Sequence, residues 1–588
     1  MTDGIYITGA GIISAIGCGI DETREALANK RSGVRTVEIL PTVHRELPCG
    51  EVALTDDQLR QRLGIAADAP CNRTALMGIE AMRQAVEQAG IDASDAWLVA
   101  GTTVGGMDRT ERHFLEMIDS NDHLKVLATH DSGSTTELTA SYFGIAADRT
   151  TTISTACSSA ANALIVGANM IKAGKADVVV AGGSEALSLF HLNGFNSLMI
   201  LDAERCRPFD ASRRGLNLGE GAAYVVLESL RSVEARGVRA LARLSGYGNK
   251  CDAYHQTASS ADGEGAYLAM REALATAHLE PSAIGYVNAH GTGTVNNDAS
   301  ESSALKRVFG EAMPPVSSTK PFTGHTTSAS GSIETVISLI ALNDGLIPAN
   351  LGWAAAADGC IVPTQGQTAA TVDHVMCNSF GFGGNDSSLI LSRVGASDAA
   401  DAPIADCRIA TIAQSESTPQ APLDNLREFM KPMESRRLSP LLKSALMTSL
   451  TALRDAGVDT PDAIIVGTTY GMLENSEKFL LQMLREGEQT LSPTLFMQST
   501  HNTIAGTLAI RTCCHGYNIT YTQPDRQSTL DRCLADARML IGQGKARTVL
   551  VGYHNEVTPL LADMLQRLNG NAVDEGVTSV AMVLRKED

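Results

Sequence analysis

The stretch Thr152-Ile-Ser-Thr-Ala-Cys157-Ser-Ser-Ala160 places a cysteine between two different structural patterns. Residues 161–171, which follow it, are small and apolar over a length that predicts a tightly packed helix. Residues 176–182 then form a short apolar run, typical of a strand that is buried on both faces. Because such strand-like and helix-like runs alternate along the chain, the sequence predicts an α/β fold with a largely buried sheet. Cys157 is then expected at a strand-to-helix junction.

The same region returns later in the chain with a glutamine in place of the cysteine. Its counterpart is Asn518-Ile-Thr-Tyr-Thr-Gln523-Pro-Asp-Arg526, and Gly101-Thr-Thr-Val-Gly-Gly-Met107 likewise returns as Gly467-Thr-Thr-Tyr-Gly-Met472. The distance from Gly101 to Gly467 equals the distance from Cys157 to Gln523. Matches in the same order and at the same spacing indicate an internal duplication, in which one copy keeps its thiol and the other has lost it.

These patterns divide the chain into three blocks. Residues 1–245 form the first block and residues 246–395 the second. Residues 396–405 are small and polar, as expected of a linker, and residues 406–588 form the third block. The third block closes on an apolar strand like the one that closes the first, so it repeats the first block only.

The composition restricts what this chain of 588 residues can bind. Its length and its hydrophobic fraction of 44% predict several globular domains. The net charge of -19 argues against nucleic acid, whose phosphates require a basic surface. No apolar run has the length of a membrane span and no signal-peptide pattern opens the sequence, so we expect a cytoplasmic protein. The twelve cysteines lack the spacing of disulfide frameworks or zinc sites, which predicts reduced thiols.

Cys157 and two histidines form the candidate chemical group. A thiol that forms a thioester must react as the thiolate, and a helix N-terminus would lower its pKa, although a buried structural cysteine is the alternative. His290 follows a strand in Tyr286-Val-Asn-Ala-His290-Gly-Thr-Gly, and His325 stands on a similar turn shortly after Lys320. Two such histidines beside a junction cysteine predict a nucleophile with acid/base partners.

A fourth motif is rich in glycine and phenylalanine. It reads Asn378-Ser-Phe-Gly-Phe382-Gly-Gly-Asn385. Its glycines would let the backbone approach a ligand closely and offer amides to a developing oxyanion. The alternative is a turn that only caps the following strand.

These four motifs, in this order, resemble those of the β-ketoacyl-acyl carrier protein synthases, the condensing enzymes of fatty acid and polyketide synthesis. The resemblance covers residues 1–395 and includes Arg207-Pro-Phe-Asp210 and the opening Ile7-Thr-Gly-Ala-Gly-Ile12. It implies a thiolase-like fold, whose two related halves would be the first two blocks. It also implies that no metal or redox cofactor is needed, because the substrates are thioesters on the phosphopantetheine of an acyl carrier protein.

The resemblance implies roles for individual residues. Cys157 would take the acyl chain, and its amide would form the oxyanion hole together with the amide of Phe382, which also matches a gating aromatic. His290 and His325 would stabilise the enolate that remains when a malonyl carrier protein loses carbon dioxide. That carbanion would then attack the thioester on Cys157.

Further residues are implied around this group. Lys320 and Glu301 would be the supporting pair that orients the histidines. Val104 and Met107 match a stretch that lines the acyl pocket, although Met107 could equally be ordinary core packing.

An acyl carrier protein is acidic, so this acidic chain would need a local cationic patch to bind one. One candidate patch is Arg60 with Arg62. The other is Arg205 with Arg207, which Arg213 and Arg214 extend; ordinary solvated arginines are the alternative for both.

Neighbouring functions fit less well. Thiolases use one histidine and a second cysteine near the C-terminal glycines, and residues 378–385 contain no cysteine. Synthases that start from acetyl coenzyme A use a Cys-His-Asn set, whereas this chain offers two histidines. A malonyl decarboxylase or scaffold subunit is the remaining alternative, since the third block resembles the first half of a chain length factor, in which glutamine can replace the cysteine.

We therefore expect an elongating condensing enzyme with a structural or chain-length-shaping third block. The tandem favours specialised polyketide or aryl-polyene-like synthesis over housekeeping fatty acid elongation. Thiolase-fold enzymes pair through their N-terminal halves, which the third block repeats. It could occupy that face within one chain, or it could lie outside an ordinary homodimer or a complex with a partner ketosynthase subunit.

Overall fold

The computed structural model describes residues 4–368, 371–396, 404, 407–417 and 426–587. The predicted linker, residues 396–405, lies outside the described residues except at positions 396 and 404. None of the helices within the described ranges is long and apolar enough to cross a membrane.

Each block contains its own strands and helices. The elements of the first block are β1 Ile5–Ser14, β2 Gly17–Cys18, α1 Ile20–Ala28, α2 Asp56–Leu63, α3 Arg73–Ala89, β3 Trp97–Gly101, α4 Met107–Asp119, α5 Ser132–Tyr142, β4 Thr150–Ile153, α6 Ser159–Lys172, β5 Val178–Glu185, α7 Leu189–Ser197, β6 Gly221–Ser229 and α8 Leu230–Arg236. Those of the second are β7 Ala242–Cys251, α9 Glu264–Ala277, β8 Tyr286–Asn288, α10 Val295–Phe309, β9 Val316–Ser317, α11 Lys320–Thr323, α12 Ser330–Asp344, β10 Leu346–Ile347, β11 Gln367–Thr368, β12 His374–Gly381 and β13 Asn385–Ser392. Those of the third are β14 Ile409–Ser417, α13 Leu426–Phe429, α14 Pro432–Ser435, α15 Pro440–Asp455, β15 Ala463–Thr468, α16 Leu473–Glu486, α17 Pro493–Met497, α18 Thr503–Thr512, β16 Tyr517–Thr522, α19 Arg526–Gly542, β17 Thr548–Val557, α20 Pro559–Asn569 and β18 Gly576–Lys586.

One continuous sheet of 16 strands runs through all three blocks. The strand order is β4-β3-β5-β6-β1 in the first block, β9-β8-β12-β13-β7 in the second and β16-β15-β17-β18-β14 in the third. Each set consists of three parallel strands followed by two antiparallel ones. The same unit therefore occurs three times, which confirms the predicted thiolase-like duplication and the additional third copy.

Helices α6 and α12 form the centre of the first two blocks. Nearly all their side chains are buried, and they are small enough for the helices to approach closely. A Cβ atom added to Gly331 on α12 would lie 2.6 Å from the backbone nitrogen of Ala161 on α6, so only glycine fits there. Cys157 lies just before α6 and His325 just before α12. This packing therefore brings the two helix N-termini, and the residues before them, together.

The third block meets the first through equivalent strands. β16 pairs with β4 in the antiparallel sense, with Tyr521 opposite Ile153, and the amide of Ser154 donates to the carbonyl of Thr520 over 3.0 Å. Ser154 and Thr520 hold corresponding positions in the two copies, so the pairing approximates a two-fold axis. The third block thus extends the sheet of the first block at the edge of β4.

Candidate active site

Cys157 lies in a short helical turn, Ala156–Ser158, between β4 and α6. The preceding Ala156 has φ of 53°, in the left-handed region that alanine rarely adopts. Such strain is found where a fold must hold a reactive side chain in one orientation. Cys157 is buried, with 5% of its surface exposed, so its thiol can react only with a group that enters the interior of the protein.

His325 is in direct contact with this thiol. Its Nε2 lies 3.1 Å from Sγ of Cys157, and its Nδ1 lies 3.0 Å from the hydroxyl of Ser330 at the start of α12. Burial, together with the nearby charge of Lys320, lowers the pKa of His325 well below its usual value. The imidazole is therefore neutral at neutral pH and can exchange a proton with the thiol or donate one in a hydrogen bond.

His290 stands beside His325, with their ring centroids 5.3 Å apart. Burial and the charge of Lys320 lower the pKa of His290 well below its usual value as well. The ammonium of Lys320 donates to Nδ1 of the neutral ring over 3.2 Å, which leaves the proton of His290 on Nε2. Both histidines line the outer cavity, where a neutral Nε2–H can donate to a substrate oxygen.

Lys320 and Glu301, the predicted supporting pair, both contact the turn of His290 but have different partners. Lys320 Nζ forms a buried ion pair with Glu334 of α12, 2.6 Å from its carboxylate. Glu301, on α10, accepts from the backbone amides of His290 and Gly291 at 2.8 and 2.7 Å. Glu301 thus orients the histidine turn through its backbone, and Glu334 holds the lysine. Sequence reasoning missed Glu334, although a carboxylate among the buried residues of helix α12 was a usable signal.

The thiol of Cys157 is less acidic than the sequence led us to expect. Burial raises the pKa of this thiol to about 11, although the charge of Lys320 and hydrogen bonds from the amides of Phe382 and Cys157 oppose the change. Desolvation therefore outweighs the lowering of the pKa that is expected at a helix N-terminus. The thiol is therefore protonated at rest and needs a proton acceptor during reaction, which His325 supplies.

The same two amides define a candidate oxyanion site. They come from opposite segments, the turn before α6 and the glycine-rich turn before β13, and both lower the pKa of the Cys157 thiol. Amides that act on this sulfur from two sides are placed to receive the oxygen of a thioester carbonyl on it. The turn positions its amide by adopting φ of 82° at Gly383 and 73° at Gly384, which only glycine takes readily.

Two cavities meet at Cys157. The outer one is about 410 Å³ and is lined by His290, His325 and the exposed Arg214. The inner one is narrow, about 70 Å³, and is lined by Val104 and Met107, the two residues matched to an acyl pocket.

The third block supplies the far wall of the inner cavity. Its lining residues there are Tyr470, Leu473, Ser476, Phe496, Ser499, Thr500 and His501. These residues were not identified from the sequence, because no local pattern shows that a distant block packs over this pocket. Gln523 lines neither the inner nor the outer cavity. It is buried, with 4% of its surface exposed.

Most of the predicted carrier-binding arginines already have partners within the chain. Arg60 donates to the carbonyls of Ala66, Ala69 and Cys71. Arg62 pairs with buried Glu80 at 3.0 Å, and Arg207 pairs with Glu204 at 2.6 Å.

Two arginines of the second cluster remain exposed. They are Arg205 and Arg214, and Arg214 also lines the outer cavity. The cationic surface nearest the thiol therefore contains fewer arginines than the sequence predicted. Arg60 and Arg62 are not part of it, because they do not line the outer cavity.

The buried thiol, the two neutral histidines and the paired amides define an acyl-transferring condensing site, and the chain belongs to the β-ketoacyl synthase family. The family profiles "Beta-ketoacyl synthase, N-terminal domain" and "C-terminal domain" match residues 2–232 and 241–354. A second N-terminal-domain profile matches residues 410–588. The chain is thus an acyltransferase followed by a second ketosynthase-like domain.

Individual relatives agree with this assignment. The chain is 31% identical over 420 residues to 3-oxoacyl-[acyl-carrier-protein] synthase 2 of Vibrio cholerae, covering 66% of this chain and 99% of that protein. It is similar to the ishigamide ketosynthase/chain length factor, with 30% identity and a TM-score of 0.63 over 67% of this chain and 100% of that one. The PfaC keto synthase-chain length factor shares the fold over 100% of this chain and 78% of its own, with a TM-score of 0.84 and 16% identity.

Proposed function

We propose that this protein condenses an acyl thioester on Cys157 with a malonyl thioester carried by an acyl carrier protein, with loss of carbon dioxide. The observation that carries the proposal is the contact of His325 Nε2 with Sγ of Cys157 at 3.1 Å, with His290 beside it. One histidine alone would serve acyl transfer. Two neutral histidines on the same cavity also provide donors for an enolate oxygen.

The first half-reaction loads the acyl chain. The sulfur of Cys157 attacks the carbonyl of an acyl thioester while His325 accepts the thiol proton. The tetrahedral oxyanion is held by the amides of Cys157 and Phe382. The carbon–sulfur bond to the carrier then breaks, and the departing thiolate takes the proton from His325. The acyl chain lies in the inner cavity.

The second half-reaction extends the chain. The carbon–carbon bond to the malonyl carboxylate breaks, carbon dioxide leaves and the electron pair forms an enolate. The enolate oxygen accepts a hydrogen bond from Nε2 of His290 and one from His325 in the tautomer that carries its proton on Nε2, in which Nδ1 accepts from the hydroxyl of Ser330. The enolate carbon attacks the thioester on Cys157, the β-ketoacyl product stays on the carrier, and the released Cys157 thiolate takes up one proton. Lys320, which is paired with Glu334, donates a hydrogen bond to Nδ1 of His290, so that the proton of the imidazole stays on Nε2.

The experiment that tests this function combines the purified protein with an acyl carrier protein loaded with an acyl group and with malonyl carrier protein. We expect a β-ketoacyl carrier protein two carbons longer, detected by intact mass. His290→Ala should retain acyl loading but lose malonyl decarboxylation, since His290 does not contact the thiol. Release of carbon dioxide by the wild type without any extended product would instead favour the decarboxylase alternative.

The carrier would dock at the mouth of the outer cavity, where Arg205 and Arg214 are exposed. Met199 and Val295 also line this cavity and are 87% and 61% exposed. An apolar surface with cationic neighbours complements an acidic partner whose prosthetic group must enter the cavity. This local patch overcomes the repulsion expected from the net charge of -19.

The third block would shape the acyl pocket, since it forms the wall opposite Val104 and Met107. Gln523 cannot form a thioester and lies outside both cavities, so we assign it no chemical step. A pocket completed by a chain-length-factor-like domain supports specialised polyketide-type or aryl-polyene-like synthesis as the setting of the reaction.

Leu473→Phe should shorten the longest acyl chain that the enzyme accepts, by roughly one two-carbon unit, because added ring volume fills a narrow cavity. Leu473 begins α16 and lines the inner cavity. The measurement is the acylation rate of Cys157 with carrier-bound chains of increasing length. Lys478→Phe, on an exposed position of the same helix, is the control and should leave the length profile unchanged. Equal profiles for Leu473→Phe and the wild type would contradict the shaping role.

A further inference from the structure

The glycine-rich turn that carries the oxyanion amide is held by the third block. The carbonyl of Phe382 accepts a hydrogen bond from Nδ2 of Asn502 over 2.8 Å. The amide of Gly383 donates to the carbonyl of Gln256 over 2.7 Å. These two groups belong to the same peptide unit, so its plane is fixed on both sides, once by the second block and once by the third.

This turn needs such ties because its own residues restrain it weakly. Gly383 and Gly384 both take positive φ, and glycine moves between backbone conformations more freely than other residues. A displacement of the peptide that follows Phe382 would shift the Cα atom of Phe382, and with it the amide that precedes this atom, which is the candidate oxyanion donor. The packing is also close: a Cβ atom added to Gly383 would lie 2.8 Å from Nδ2 of Asn502.

The side chain of Phe382 is connected to the third block as well. Its ring stacks on Phe195, with centroids 5.7 Å apart and an interplanar angle of 23°. Phe195 in turn contacts Phe496 of α17 edge to face at 5.3 Å. The gating ring and the backbone of the same residue therefore both depend on contacts from one segment of the third block, residues 496–502.

Asn502 makes this contact at a cost. It is 1% exposed, and its Oδ1 atom is buried without a hydrogen-bond partner among the described residues. An unsatisfied buried amide oxygen disfavours the folded state, so an apolar residue would be preferred here if packing were the only requirement. What the side-chain amide provides is its hydrogen bond to the carbonyl of Phe382.

A second polar contact links the same two regions. The side-chain amide of Asn385, directly after the turn, donates to the backbone carbonyl of Asn518 on β16. Its Oδ1 accepts from the hydroxyl of Ser158, beside the nucleophile, over 2.7 Å. The two oxyanion segments are thus joined to each other and to the third block by buried hydrogen bonds.

We propose that Asn502 is a positioning residue, through which the third block aims the Phe382 amide at the thioester carbonyl and so sets the rate of acyl transfer. This goes beyond pocket shaping and rests on the proposed acyl transfer to Cys157. Loss of this contact should slow only the steps in which an oxyanion forms on the thioester of Cys157. Malonyl decarboxylation uses the two histidines and does not need the Phe382 amide.

The test is Asn502→Asp, which keeps the size of the side chain but replaces the donor with an acceptor, together with Asn502→Ala. We expect the maximal rate of Cys157 acylation to fall about tenfold or more. This is less than the roughly 100-fold to 1,000-fold loss seen when an oxyanion donor is removed, because the Phe382 amide is displaced and not deleted. The concentration of acyl carrier at half-maximal rate and the rate of malonyl decarboxylation should change little.

Asn475→Ala is the matched control. Asn475 is buried in the third block and its amide donates to the carbonyl of Gln498 over 3.0 Å, a bond of the same kind that does not reach Phe382. This variant should keep the wild-type acylation rate. The proposal is overturned if both Asn502 variants acylate at the wild-type rate, or if acylation and decarboxylation fall together. If wild-type Cys157 takes no acyl group at all, the proposed function itself fails, which is a separate result.

Discussion

Cys157→Ala is expected to abolish acyl uptake completely, because no other group at the junction of the two cavities can form the thioester. Intact mass after incubation with an acyl-loaded carrier protein should show one added acyl group on the wild type and none on the variant. The variant should still decarboxylate malonyl carrier protein, since His290, His325 and Lys320 remain in place. Loss of acylation without loss of decarboxylation is the pattern that separates a missing nucleophile from a misfolded site.

Cys377→Ala is the control for this experiment. Cys377 is also a buried free thiol, on β12, and is 1% exposed, but it lines neither cavity. Its replacement should leave acyl uptake intact. Acyl transfer to the Cys157→Ala protein, or its loss in Cys377→Ala with the fold retained, would contradict the assignment of the nucleophile.

The fold and the candidate chemical group could be predicted because their signals are local. A short apolar strand, a small-residue helix and the turn between them predict the position of Cys157 without any tertiary information. The glycines around His290, His325 and Phe382 likewise mark turns where the backbone must bend sharply or approach a ligand. The internal duplication was visible because equivalent residues keep their order and spacing.

The features that could not be predicted from the sequence depend on contacts between distant segments. Lys320 forms its ion pair with Glu334 and not with Glu301, because tertiary packing brings α12 beside Lys320. The pKa of Cys157 depends on how completely the surrounding elements exclude water, which outweighs the helix N-terminus. The same holds for the predicted arginine patches, because charge along the sequence does not show which guanidinium groups are already paired.

The third block illustrates both cases. Its relation to the first block was predictable from repeated motifs, whereas its place in the molecule was not. Pairing of β4 with β16 puts α16, α17 and residues 499–501 over the inner cavity of another block. The loss of the thiol at Gln523 therefore does not make the copy dispensable, since other residues of the third block line the cavity.

A chain that ends at residue 395 is expected to self-associate and to lose its acyl-transfer activity. Without β16 the edge of β4 is unpaired, and an exposed strand edge invites pairing with another chain. Phe190 and Phe195 would also lose Phe479 and Phe496, and uncovering large apolar side chains costs about 1.5–3 kcal/mol each. Size-exclusion chromatography with light scattering should therefore find dimers or aggregates.

A cleavable version of the full chain provides the control. A protease site placed in residues 396–405 allows the two parts to be separated covalently after folding together. Because β4 and β16 pair and the hydrogen bonds of Asn385 and Asn502 cross between the parts, the cut protein should stay associated and keep its acyl-transfer rate. A truncated chain that does not self-associate, with unchanged acylation and unchanged chain-length preference, would show that the third block neither completes the pocket nor positions the oxyanion turn. Activity in the cut protein together with its loss in the truncated one would show that the third block acts through the contacts it makes, and that the covalent connection serves only to keep it in place.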